Sequence, residues 1–168
     1  YLTAILIKVT GIAPAISYNL AVPLFFALAV GGAYTFSYNL AASLRTGISP
    51  LIAGLYGVVF VTLIGNLDGA IQIVEGIYRV VFLDQPFGNF DFWRSTRMMA
   101  PGTEITEFPF FTFLFADLHA HLLALPYTLL TLALALSLVM GAKEKPWSGV
   151  GVLRLVALGI SVGALRVI

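Results

Sequence analysis

The sequence predicts an all-α membrane protein, a polytopic bundle of transmembrane helices with one long extracytoplasmic or interfacial segment. Hydrophobic residues make up 60% of the 168 residues and charged residues 10%, whereas a soluble domain carries about 25% charged residues. Apolar stretches of the roughly 20 residues that a span needs recur along the chain. Since lipid admits only helices and closed barrels, we expect a multi-pass protein of the cell membrane.

Four spans are predicted, and together they form one transmembrane domain over residues 1–168. They lie near residues 18–42, 50–70, 117–140 and 148–168. Pro50 suits the first turn of the second helix, and Gly159-x-x-x-Gly163 in the last helix is typical of close helix packing. Both chain ends interrupt apolar runs, so we expect the chain to be an excerpt of a larger protein.

The charges of the connecting segments predict the topology. The connections at 43–49 and 141–147 are separated by two spans and must share a side. They carry Arg45, Lys143 and Lys145 and a single acid, and an excess of Lys and Arg is typical of the cytoplasmic side. The segment at 71–107 is then extracytoplasmic, and its Pro, Gly and aromatic residues favour an irregular segment docked on the membrane surface.

The polar residues of most interest lie in the apolar stretch that follows this segment. Ionisable groups inside membrane segments are costly and mark functional sites by default. In a helix, Asp117 and His121 share one stripe of small or polar residues, and His119 lies about 200° around the axis from Asp117. Asp117 and His121 could act as an acid/base pair or share a divalent cation. The structural alternative is a buried Asp–His hydrogen bond that pins two helices.

A metal site with three protein ligands is not predicted here. Asp117, His119 and His121 would all have to face one ion, and alternate residues share a face only in an extended backbone. The predicted helical stripe argues against that geometry. No metal ligand is therefore assigned, and the need for a divalent cation stays open.

Two arginines precede this stretch and suit an anionic ligand. Arg94 and Arg97 are three residues apart with Ser and Thr between them, a spacing that suits a phosphate or an anionic headgroup. The alternatives are pairing with Asp91 or contact with surface lipid. We expect Arg94, Arg97 and His119 to contribute to substrate or phosphate binding.

Three further residues complete the set of candidates. Glu107 could be a catalytic base, or a solvated residue favoured by the dipole of the helix that follows. Trp93 could stack on a sugar, or belong to an interfacial aromatic belt. Arg166 lies about 27 Å into the last helix, which returns it to the level of Asp117, so we expect Arg166 to converge on the site as a phosphate ligand.

Composition excludes several other classes of protein. The chain has no cysteine, which excludes disulfides, thiolate catalysis and Cys-ligated metals. The net charge is +1 and there is no basic run, so no nucleic-acid partner is expected.

The chain resembles the YYY family of polytopic membrane proteins. The resemblance rests on F-W-R-S-T-R at 92–97, I-T-E-F-P-F-F-T-F-L-F-A-D-L-H-A-H at 105–121, L-P-Y at 125–127 and G-A-L-R at 163–166. The family is named for a tyrosine run, expected just before Tyr1. It looks distantly similar to membrane glycosyltransferases that use polyprenyl-phosphate sugars, in which a catalytic carboxylate lies on the first extracytoplasmic loop. The resemblance implies that the main carboxylate precedes this chain.

The sequence therefore supports three functional hypotheses. The first is a multi-span glycosyltransferase with a lipid-phosphate-linked sugar donor, in which Asp117, His121 and Glu107 are catalytic and membrane lipid is a partner. The second is a transporter or lipid-binding protein with the same charges along a pathway. The third is a structural subunit of a membrane complex, with partner subunits packed on its helices.

Overall fold

The computed structural model describes residues 2–44, 47–98, 107–141 and 149–166. Over these ranges the chain is helical, and its only β pairing is an isolated antiparallel bridge between Arg97 and Glu107. The all-α prediction is confirmed. The helices are α1 (Leu2–Thr10), α2 (Pro14–Leu44), α3 (Pro50–Val58), α4 (Asp68–Phe82), α5 (Phe92–Thr96), α6 (Pro109–Phe115), α7 (Ala120–Gly141) and α8 (Gly149–Leu165).

Within the described residues, α2 and α7 are long and apolar enough to cross a membrane, and the count rises to three if the bent pair of α3 and α4 forms one span. The helix predicted over 50–70 is interrupted instead. After α3 the chain forms a π-helical turn over Val59–Leu63, ends in an extended residue at Ile64 and resumes as α4 with a bend of 76°. The side chain of Asn66 accepts a hydrogen bond from the backbone N–H of Asp68 at 3.2 Å. This local bond favours a turn over a continuous helix.

The helix predicted from Asp117 also begins later than expected. Helix α6 ends at Ala116, which adopts the left-handed conformation (φ 57°, ψ 33°), and α7 begins at Ala120. The backbone N–H of His119 bonds the carbonyl of Asp117 at 2.9 Å, a tight three-residue turn. The prediction that Asp117 and His121 lie on one helical stripe is therefore wrong, because the backbone leaves the helical conformation at Ala116 and resumes it only at Ala120.

Helix α2 is the centre of the packed core. Its buried stripe of Ala21, Phe25, Ala29 and Ala33 recurs every four residues and forms one cluster with Phe113 of α6 and with Leu122 and Leu129 of α7. Small residues let the two backbones approach closely. A Cβ added at Gly32 would lie 3.0 Å from the Cβ of Leu129.

Helices α2 and α7 run in the same direction. At one end, the hydroxyl of Tyr18 lies 3.4 Å from the carbonyl oxygen of Ala116, and at the other end Asn39 and Gly141 line one cavity. Helix α8 returns along α7, with Thr131 donating to Ser161 at 3.1 Å. The connections that follow α2 and α7 therefore leave the same end of the bundle, and α6 lies at the opposite end.

The polar face of α4 holds the segment that leads to α5. The side chain of Gln72 accepts from the backbone N–H of Asp91 at 2.7 Å and donates to its carbonyl at 3.0 Å. Gly76 is buried beneath the ring of Phe87. The polar side chains of α4 thus bind the chain that follows it, so the segment at 83–98 is anchored on α4.

Replacement of Gly57 by Ala should test the contact between α2 and α3. The added Cβ would overlap the side chain of Ser37 and lie 3.0 Å from the carbonyl oxygen of Ala33. Overpacking of this kind typically costs about 1–3 kcal/mol, so the midpoint of thermal unfolding should fall. The control is Gly159→Ala, where the added Cβ meets nothing within 4 Å and helix propensity improves. Equal stability of the two variants would contradict this packing.

Single-cysteine labelling should test the topology, because the natural chain contains no cysteine. Asn89→Cys should react with an impermeant maleimide from one membrane face, and Lys143→Cys, which lies outside the described residues, from the other. The positive-inside rule predicts that position 143 is cytoplasmic. Labelling of both positions from one side of oriented vesicles would refute the arrangement.

Candidate functional site

The site begins at the bridge that brings Arg97 and Glu107 together. The bridge closes the loop between α5 and α6, and the backbone N–H of Phe108 bonds the carbonyl of Thr96 at 2.9 Å. Nη2 of Arg97 lies 3.8 Å from Oε1 of Glu107, and the two side chains are 22% and 12% exposed. The guanidinium also lies over the ring of Trp93, 5.3 Å from its centroid. Glu107 is thus a largely buried carboxylate with a cation beside it.

Thr112 of α6 links this carboxylate to α7. Thr112 is 1% exposed. Its hydroxyl lies 3.4 Å from Oε2 of Glu107 and 3.1 Å from Nε2 of His121. A threonine hydroxyl can donate one hydrogen bond and accept others. When Nε2 of His121 carries the proton, the hydroxyl accepts from His121, and its own proton is shared between Glu107 and the carbonyl of Phe108, which both lie 3.4 Å away. A buried hydroxyl therefore connects an acid and a base that lie on different segments.

His119 and Asp117 extend the series of contacts beyond His121. The rings of His119 and His121 stack with centroids 5.6 Å apart and an interplanar angle of 17°. Nδ1 of His119 lies 3.4 Å from Oδ2 of Asp117. That separation lacks hydrogen-bond geometry, and the buried Nδ1 makes no hydrogen bond within the described part of the chain. We call the connected set the polar cluster: Arg97, Glu107, Thr112, His121, His119 and Asp117.

The phenol of Tyr18 braces the turn that presents the two histidines. It donates to the carbonyl of Ala116 at 3.4 Å and accepts from the backbone N–H of Leu118 at 3.3 Å. Unpaired backbone groups in an apolar setting are costly. Tyr18 of α2 therefore supplies partners for the break between α6 and α7, which allows His119 and His121 to lie side by side.

Several predicted residues join the cluster by routes other than those expected. Asp117 reaches it through His119, because the turn after Ala116 is not helical. His119, which a helix would have placed off the stripe, lies between His121 and Asp117. Trp93 packs edge-on against Phe111, with centroids 5.5 Å apart, and supports Arg97.

One of the predicted arginines, Arg94, has a partner outside the cluster. Arg94 binds Asp68 instead, with Nε and Nη2 at 2.8 and 2.6 Å from Oδ1. These hydrogen bonds raise the pKa of the Arg94 guanidinium above its ordinary value. Asp91, the predicted alternative partner, accepts from the backbone N–H of Arg94 at 3.1 Å. Arg166 follows the end of α8, and its convergence on the site stays a prediction.

Sequence reasoning missed Thr112, the residue that unites the cluster. A signal was present, since Thr112 is the only polar side chain between Glu107 and Asp117. The contacts of Asp68 and Gln72 with the Asp91–Arg94 segment join residues 19 to 26 positions apart and could not be read from periodicity. Tyr18 carried no signal, because its contacts lie about a hundred residues away.

An apolar groove adjoins the cluster on the same helix. It has a volume of about 280 Å³ and is lined by Val22, Pro23, Phe26, Phe110, Phe113 and Leu114. Phe26 and Phe113 meet edge to face, with centroids 5.0 Å apart. Helix α6 therefore presents Thr112 to the polar cluster and its phenylalanines to a groove suited to a hydrocarbon chain.

The described residues contain no group of three His, Asp or Glu side chains placed to hold a metal ion. Asp117 and His119 lie between α6 and α7 and not on a helix, so the helical separation expected for the three side chains is not the one observed. His119 faces Asp117 on one side and stacks on His121 on the other.

The comparison with known sequences identifies a membrane-protein family and nothing finer. One family model, described as "Uncharacterized membrane protein (DUF2298)", matches the chain over residues 1–168. No curated protein and no solved structure matches the chain.

Removal of the Thr112 hydroxyl should separate Glu107 from His121. Thr112→Val keeps the shape of the side chain but removes the hydroxyl's hydrogen bonds to Glu107, which is partly buried, and to His121, which is exposed. Loss of an intramolecular hydrogen bond typically costs about 0.5–1.5 kcal/mol. The midpoint of thermal unfolding of the purified protein should fall. Thr112→Ser retains the hydroxyl and should recover most of the loss. Equal stability of the valine and serine variants would show that the hydroxyl does not link the two groups.

Proposed function

We propose, for a chain that belongs to the membrane-protein family DUF2298, that the polar cluster transfers a sugar from a polyprenyl-phosphate donor to an acceptor hydroxyl. The observation that carries the proposal is the buried hydroxyl of Thr112 between Glu107 and His121. It joins a carboxylate to an imidazole at the exposed edge of the cluster, in the manner of acid/base relays.

His121 is the proposed base of this reaction. With Nε2–H donated to Thr112 and the Thr112 hydroxyl donated to Glu107, Nδ1 of His121 remains a proton acceptor. An acceptor hydroxyl would lose its proton to Nδ1 as its oxygen bonds to the anomeric carbon. The bond between that carbon and the phosphate oxygen breaks, and polyprenyl phosphate leaves with the electron pair. Glu107 would stabilise the imidazolium through Thr112.

Arg97 is the proposed ligand of the leaving phosphate. The side chain of Arg97 is 22% exposed and lies beside Glu107 in the cluster. A guanidinium binds phosphate in a bidentate manner, so Arg97 would engage the phosphate at the edge of the cluster. The adjoining groove between α2 and α6 would receive the first isoprene units of the donor. Polar chemistry next to an apolar groove is the arrangement that a lipid-linked substrate requires.

Conservative substitutions at both ends of the relay should abolish transfer. His121→Gln removes the base and Glu107→Gln removes the charge that supports it, and loss of general-base catalysis typically costs about 10²–10⁴-fold in rate. The measurement is transfer or hydrolysis of radiolabelled sugar from a panel of polyprenyl-phosphate monosaccharides by the full protein in proteoliposomes.

Glu75→Gln is the matched control for these variants. It removes an exposed carboxylate of α4 on the same side of the bundle and does not touch the polar cluster. Its turnover should equal that of the wild-type protein. If wild-type protein consumes none of the donors, sugar transfer is the wrong reaction. If His121→Gln and Glu107→Gln lower the unfolding temperature yet keep turnover per folded molecule, the cluster is structural.

A further inference from the structure

A charged side chain outside the polar cluster, Arg154, lies beside a cavity at the opposite end of the bundle. Arg154 is the only charged residue of α8, it is half-buried, and its Nη1 donates to the carbonyl of Ser137 on α7 at 3.3 Å. The cavity has a volume of about 400 Å³, and Arg154, Asn39 and Gly141 are among the residues that line it. A lone arginine in an apolar helix requires a compensating partner.

The last turn of α7 makes room for this arginine. A Cβ added at Gly141 would lie 2.5 Å from Nη1 of Arg154, so the guanidinium occupies the space that a side chain would take. A guanidinium has five N–H donors in a rigid fork. Among the described residues, the bond to Ser137 uses one of them, so several donors face the cavity, where an anion could accept from them.

An apolar crevice continues from this cavity along the same pair of helices. Its volume is about 420 Å³, it lies between α2 and α7, and it shares Thr35 and Ala133 with the cavity beside Arg154. Leu28, Gly31 and Leu130 are among its lining residues. The two spaces together form one groove with a charged polar end and an apolar body.

The depth of the groove matches that of a lipid headgroup. At 1.5 Å per residue, the helix from His121 to Gly141 covers about 30 Å, which is the thickness of a hydrocarbon core. If the polar cluster lies at one interface, the cavity beside Arg154 lies at the other. Its charged end therefore meets the headgroup layer while its apolar body lies among the lipid chains.

We propose that this groove binds one anionic phospholipid of the surrounding membrane. Its phosphate would accept hydrogen bonds from Arg154, next to the side-chain amide of Asn39, and one acyl chain would lie in the crevice between α2 and α7. Basic pockets between membrane helices are suited to anionic headgroups, and the contiguous apolar crevice distinguishes a lipid from a free phosphate. This site is separate from the proposed transfer site.

Lipid binding to the full protein in zwitterionic nanodiscs should depend on Arg154. We expect titrated long-chain phosphatidylglycerol to bind wild-type protein in native mass spectra and to raise its unfolding temperature. Arg154→Gln should weaken this binding by about tenfold or more, because hydrogen bonds between charged groups are lost. Arg79→Gln, which removes an exposed arginine of α4, should bind as the wild-type protein does.

A second variant tests the apolar half of the groove and keeps the arginine. A Cβ at Gly31 meets nothing within 4 Å, so Gly31→Leu should fill the crevice without straining the fold and should also weaken binding of the long-chain lipid. Gly159→Leu makes the same change at another open glycine and should bind normally. This pair keeps the proposal testable if Arg154→Gln fails to fold.

Three outcomes would overturn the proposal. Unchanged phosphatidylglycerol binding in Arg154→Gln, or in Gly31→Leu relative to Gly159→Leu, would exclude the groove as the lipid site. Equal stabilisation of wild-type protein by inorganic phosphate alone would assign the cavity to a free anion. A fall in unfolding temperature in Arg154→Gln that is the same with and without phosphatidylglycerol, together with unchanged lipid binding, would show that Arg154 serves only to cap α7.

Discussion

The contact of Tyr18 with the break between α6 and α7 is the constraint on which the site depends. A chain that leaves a helix in an apolar setting exposes backbone groups that must find partners. The phenol of Tyr18 supplies one acceptor and one donor to this break. Because Tyr18 belongs to the start of α2, the bond also sets the start of α2 beside the start of α7, and the small-residue stripe of α2 keeps the two helices close along their length.

That arrangement explains why the acid/base groups meet. Helix α6 ends in a left-handed residue and turns its buried Thr112 toward α7, while the short turn after it stacks His119 on His121. Just before α6, the bridge between Arg97 and Glu107 pairs the two segments that flank the loop and places Glu107 next to the start of that helix. The polar face of α4 holds the beginning of that loop, through Gln72 and Asp68, so Glu107 reaches Thr112 from a segment that is anchored at both ends.

The two ends of the α2–α7 pair have different chemistry. One end carries a connected set of titratable groups beside a small apolar groove, which suits a reaction on a lipid-linked substrate. The other end carries a single arginine above a longer apolar crevice, which suits a resident lipid. The helix length between them is that of a hydrocarbon core. One helix pair thus relates a proposed reaction site at one interface to a proposed lipid site at the other.

Composition and hydrophobic pattern alone determined that the protein is helical and belongs in a membrane, since few charges and long apolar runs admit no other class. They also identified Glu107, Asp117, His119, His121 and Arg97 as candidates, because ionisable groups are conspicuous in such a sequence. The tertiary structure decided how these groups connect. Helical periodicity fails where the chain breaks, at Ile64 and at Ala116, and each break depends on turn chemistry or a distant partner. Tyr18, Thr112 and the Asp68–Arg94 pair act across long sequence separations, which no local pattern records.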